Sequence, residues 1–78
     1  MRKALIIDDD AALAATLQAA LESEGFKVRH EADGEGGLAR VLGEKFDLVV
    51  LDLVLPGLSG LEVCRKMREG GNQTPVIL

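Results

Sequence analysis

Residues Phe46–Gly60 read FDLVVLDLVLPGLSG, and the rest of the chain is arranged around them. Leu48–Leu51 is a continuous apolar run of strand-forming residues, far too short to span a membrane. Such a run fits a strand buried on both faces. It ends on a single carboxylate, Asp52. Pro56, Gly57 and Gly60 then interrupt any regular element. In open α/β sheets, ligands sit at the carboxyl ends of the strands. A buried strand that delivers one acid to its C-terminal end, followed by a loop, is therefore a place for chemistry.

On the N-terminal side, Ala4–Ile7 is a second continuous apolar run, and it stops at Asp8, Asp9 and Asp10. Asp10 is placed to cap a helix over about Ala11–Glu24. Leu13, Leu17 and Leu21 recur at helical spacing there, with Ala14 and Ala20 beside them, and Gly25 follows as the expected terminator. Phe26–Ala32 alternates apolar residues with Lys27, Arg29 and Glu31, the pattern of an edge strand. Asp33 opens a helix over Gly34–Gly43, with Leu38, Val41 and Leu42 at helical spacing. This helix is expected to be weak, because each interior glycine costs up to about 1 kcal/mol against alanine. On the C-terminal side, Ser59 and Glu62 form a capping-box pattern. The helix they open runs to about Glu69, with Leu61, Cys64 and Met67 expected to face inward. Gly70 and Gly71 end it. Thr74 and Pro75 lead into a last apolar run, Val76–Leu78. The order β-α-β-α-β-α-β implies a parallel sheet with right-handed crossovers.

Composition narrows the function. A chain of 78 residues is one domain at most. Phe26 and Phe46 are its only aromatics, so the core is made of Leu, Val, Ile and Ala. A net charge of −4 argues against nucleic-acid binding, which needs a basic patch. Cys64 stands alone, so no internal disulfide forms, in keeping with a reducing compartment. The apolar run behind Arg2 and Lys3 is too short for a signal peptide or a membrane helix. The expected setting is soluble and cytoplasmic.

In a doubly wound sheet of order 2-1-3-4-5, the first and third strands are neighbours, and the switch point lies between their carboxyl ends. Asp8, Asp9 and Asp52 then share one pocket. Like charges at close range either take up a proton or recruit a cation. A hard, oxygen-liganded ion such as Mg²⁺ is the natural occupant. Beside it, Asp52 is a candidate nucleophile toward a phosphoryl group, giving an aspartyl phosphate.

The stretches ALIIDDD, FDLVVLDLVLPGLSGLEVCRKMR and TPVIL together resemble a receiver domain of two-component response regulators. The acid pair after the first strand, the acid after the third, the L-P-G turn and the G-L-E helix start carry the resemblance, which covers the whole chain. It implies a flavodoxin-like α/β fold with sheet order 2-1-3-4 over these residues. Asp52 corresponds to the phosphoacceptor and Asp9 to the direct Mg²⁺ ligand. Asp8 corresponds to its partner in metal binding, partly through water, and the backbone carbonyl of Val54 to the third protein ligand. The implied phosphodonor is a phosphohistidine on a sensor histidine kinase. A complete receiver has five strands and five helices. Residues 1–78 are expected to be the N-terminal portion of one such domain, without the family's hydroxyl and lysine residues from the fourth and fifth strands. Phosphoryl transfer is accordingly expected to be impaired. The chain is also expected to self-associate, as a dimer or a swapped assembly, to cover its open face and edge.

Other readings are weaker. A non-signalling structural fragment that oligomerises shares the fold and differs only in activity. The D-x-D of Asp8–Asp10 resembles haloacid-dehalogenase phosphatases, but Ala11, Ala12 and Leu13 follow it and the chain is too short for that family. Asp10 and Ser59 are expected to be helix caps, Asp47 a surface residue where the strand begins, and Cys64 a small core residue. His30 is expected to be structural or solvated. The glycines of Gly34–Gly37 lack the G-K-[ST] of a phosphate loop.

Overall fold

The computed structural model describes residues 1–78. Its strands are β1 (Lys3–Ile7), β2 (Lys27–Glu31), β3 (Leu48–Leu51) and β4 (Val76–Ile77), and its helices are α1 (Ala11–Ser23), α2 (Gly34–Gly43) and α3 (Gly60–Glu69). The strands form one parallel sheet in the order β2-β1-β3-β4, as the alternation of strands and helices predicts. Ile7 is level with Glu31 on one side and Leu51 on the other. The ends of β1 and β3 are therefore flush, and the residues after them emerge side by side.

Ala4–Ile7 are fully buried, because β1 is central and has helices over both faces. On one face Leu5, Ile7, Val49 and Leu51 pack with Val41 of α2, Val63 and Met67 of α3, and Phe46 and Leu55. On the other, Ala4, Ile6 and Val28 meet Ala14 of α1, flanked by half-buried Leu17, Leu21, Leu48 and Val50. One face thus has two helices and the other has one.

The helical-spacing reading fails at four positions. Leu13 remains 46% exposed and Ala20 is exposed, because no second helix flanks α1. Leu42 and Leu61 also face solvent. The inward side of α3 is Gly60, Val63 and Met67, with Cys64 half-buried, so Leu61 falls on the outer side. The caps do form. Asp10 accepts from the Leu13 N–H at 3.0 Å, Asp33 from Gly36 at 2.7 Å and Ser59 from Glu62 at 3.3 Å. The Glu62 side chain pairs with Arg65 rather than reaching back to Ser59, so only half of the capping box is realised. Gly25 ends α1 at φ +92°, a conformation that favours glycine.

The glycines of α2 have a packing role that propensity does not reveal. Gly34 and Gly37 are buried. A Cβ on Gly37 would lie 2.5 Å from Ile7 Cδ1, and one on Gly34 would overlap the Leu58 carbonyl. Bare backbone at these positions lets α2 rest directly on β1 and on the loop before α3. Ion pairs fasten its other end. Arg40 holds Glu31 of β2 at 2.7 Å and Glu44 at 3.0 Å, and Lys3 holds Glu44 at 2.6 Å. Lys3 first, then Arg40, pull the Glu44 carboxyl down to about 2.

Candidate functional site

The flush ends of β1 and β3 bring the sequence-predicted acids together. Asp8 is 8% exposed, Asp52 is half-buried and Asp9 is exposed. One carboxylate oxygen from each lies within 4.8 Å of the other two. Strand pairing carries into the loops and holds this geometry. The Asp52 N–H donates to the Ile7 carbonyl at 3.0 Å, and the Asp8 N–H donates to the Glu31 carbonyl at 3.0 Å. Asp8 Oδ1 accepts from the Asp10 N–H at 2.8 Å, and Asp52 Oδ1 accepts from the Val54 N–H at 3.2 Å. Asp9 has no hydrogen bond from the protein, and neither does the carbonyl of exposed Val54. The cleft continues over Leu13, Leu17, Val50 and Leu78, and no lysine or arginine lines it.

This donor set is all oxygen. It suits a hard divalent cation such as Mg²⁺, which prefers carboxylate, carbonyl and water. Positive charge at this spot also offsets the mutual repulsion of three carboxylates.

Two supporting residues escape a reading by spacing. A Cβ on Gly60 would overlap the Asp52 carbonyl, so glycine there lets the start of α3 close onto the strand end that bears Asp52. The Gly60 N–H completes the contact by donating to the Leu53 carbonyl at 3.0 Å. His30, expected to be structural or solvated, is half-buried, with Nε2 2.7 Å from the Asp8 carbonyl oxygen. Its place near the end of β2, opposite Ile6, was the available signal. The remaining polar candidates keep local tasks. Asp10 and Ser59 are caps, and Asp47 accepts the Lys3 N–H at 2.8 Å.

The family model for the response regulator receiver domain matches residues 4–78. The chain belongs to the response-regulator receiver family. This receiver is 42% identical over 78 residues to the response regulator ArlR of Staphylococcus saprophyticus, and equally so to ArlR of Staphylococcus aureus. The match takes in all of this chain and 35% of those relatives, so the chain spans about a third of their length. Among solved structures, the response regulator TrrA of Thermotoga maritima in complex with Mg²⁺–BeF superimposes with a TM-score of 0.95 at 33% identity. It covers the whole receiver and 68% of the TrrA chain. The complex of histidine kinase ThkA with TrrA matches with a TM-score of 0.91 at 33% identity, over the whole receiver and 67% of the matched chain. The receiver is thus a signalling module of a two-component response regulator, with the CheY-like fold of its neighbours. None of its helices is long and apolar enough to cross a membrane.

Proposed function

We propose that this receiver accepts a phosphoryl group on Asp52 from the phosphohistidine of a sensor histidine kinase, in a Mg²⁺-dependent step. The observation that carries the reading is the meeting of the Asp8, Asp9 and Asp52 oxygens within 4.8 Å at the shared end of β1 and β3. Two neighbours support it: TrrA was solved with Mg²⁺–BeF, and also with the kinase ThkA. The carboxylates of Asp8, Asp9 and Asp52 and the carbonyl of Val54 are the residues that would hold the ion. When bound, Mg²⁺ offsets charge on the transferring phosphoryl oxygens.

In this reading an Asp52 carboxylate oxygen attacks phosphorus, the P–N bond to the kinase histidine breaks, and the departing imidazole takes a proton from water. The Val54 N–H orients Asp52 through Oδ1 and leaves Oδ2 without a protein hydrogen bond. Transfer is slow in this chain, because no cationic side chain lines the cleft to meet the phosphoryl oxygens. Such electrostatic partners are worth about 3 kcal/mol in comparable sites. With Mg²⁺ and a small phosphodonor, intact-mass spectrometry is expected to show one added phosphoryl group, accumulating slowly. The adduct is absent without Mg²⁺ and absent in Asp52→Asn. An adduct that survives Asp52→Asn sinks the assignment.

We further infer that residues 1–78 are the N-terminal portion of one receiver domain and that the chain associates with a second copy. Leu13 is exposed beside half-buried Leu17 and Val50 on the sheet face that a single helix covers, and a second copy would shield it. Sedimentation velocity at micromolar concentration checks this, and a sharp monomer peak across the accessible range rejects it.

A further inference from the structure

We propose that His30 is a positioning residue for the metal-binding acid pair, an inference that rests on the Mg²⁺ reading above. Asp8 is nearly buried at the end of β1, and each of its polar groups is engaged. Its N–H donates to the Glu31 carbonyl at 3.0 Å, and its carboxylate takes the Asp10 N–H at 2.8 Å. Its carbonyl oxygen receives no backbone N–H and lies 2.7 Å from His30 Nε2. A carbonyl oxygen only accepts, so Nε2 carries the proton in this contact.

The carbonyl in question belongs to the peptide that joins Asp8 to Asp9. The orientation of that peptide sets the direction in which the chain leaves β1 and presents the Asp9 side chain. Asp9 is exposed and has no hydrogen bond of its own to hold it. Its placement therefore depends on the peptide before it and on the Asp10 cap after it. His30 reaches this peptide from β2, whose pairing with β1 puts His30 opposite Ile6. The same strand thus grips Asp8 at both ends, through the Glu31 carbonyl and the His30 ring. A metal site gains affinity when its ligands are held in place before the ion arrives, and partners behind the ligands are typically worth about 10- to 100-fold.

The test is Mg²⁺ titration of the 78-residue chain by calorimetry, with the thermal midpoint of each variant recorded without Mg²⁺. His30→Ala and His30→Phe are expected to weaken Mg²⁺ binding about tenfold. His30→Gln keeps an N–H donor and is expected to recover most of that loss. A role confined to packing predicts the opposite ranking, since Phe fills the ring volume and Gln does not. If His30→Ala fails to fold, the Gln and Phe variants decide alone. Equal Mg²⁺ affinity in wild type and His30→Phe overturns the proposal while leaving the metal reading intact. So does a loss in His30→Phe that His30→Gln shares. A wild-type chain that binds no Mg²⁺ overturns both.

Discussion

At Gly37 the main chain of α2 lies directly on Ile7, with no room for a methyl group. Helix propensity alone predicts that Gly37→Ala gains up to about 1 kcal/mol. The added Cβ would sit 2.5 Å from Ile7 Cδ1, in a core where Ile7 is fully buried and has nowhere to go. Overpacking of this kind costs about 1–3 kcal/mol. Gly37→Ala is therefore expected to lower stability despite its better propensity, read as an earlier urea midpoint with an unchanged slope. A midpoint at or above wild type would show that α2 lifts off the sheet at little cost. The clustering of Asp8, Asp9 and Asp52 was legible because each lies where an apolar run ends. The importance of Gly37, Gly60 and His30 was not legible. It comes from a few ångströms between elements distant in the chain.

At the scale of elements, α2 is attached twice, by bare backbone near its start and by charge at its end. Glu44 receives both Lys3 from β1 and Arg40 from α2. Its carboxyl lies at about 2, below its usual 4.5. A depressed folded value means the pairing stabilises the fold fully above about 4.5, and that this contribution fades as pH falls through 2. The stability difference between wild type and Glu44→Gln, measured by denaturant titration, should accordingly hold above about pH 4.5 and shrink from there toward pH 2. A difference that stays flat across this range refutes the linkage. Added salt should shrink it as well, since the carboxylate is partly exposed to solvent. The extents of the helices were close to legible, because caps and terminators act within one turn. Asp10, Asp33 and Ser59 all cap where expected.

For the whole molecule, the sheet has two helices on one face and one on the other, and β2 and β4 are its edges. On the one-helix face, Leu13 is exposed beside half-buried Leu17 and Val50. Burying such a side chain fully is worth about 1.5–3 kcal/mol, which is the gain the proposed second copy would set against the cost of association. Association of folded chains also ties thermal stability to concentration. The thermal midpoint should rise with protein concentration alongside the sedimentation shift, and a midpoint independent of concentration would count against the assembly. Strand and helix periodicity, cap chemistry and the acids at strand ends needed only the order of residues, because they arise from interactions a few positions apart. The α/β class follows from them, while the likeness to receivers rests on the acids together with the L-P-G turn and the G-L-E helix start. Which helix faces meet the sheet, which glycines permit close approach and how His30 reaches Asp8 depend on the distance between packed elements. That distance is set by all the side chains at the contact together, so it emerged only once β2, β1, β3 and β4 were side by side.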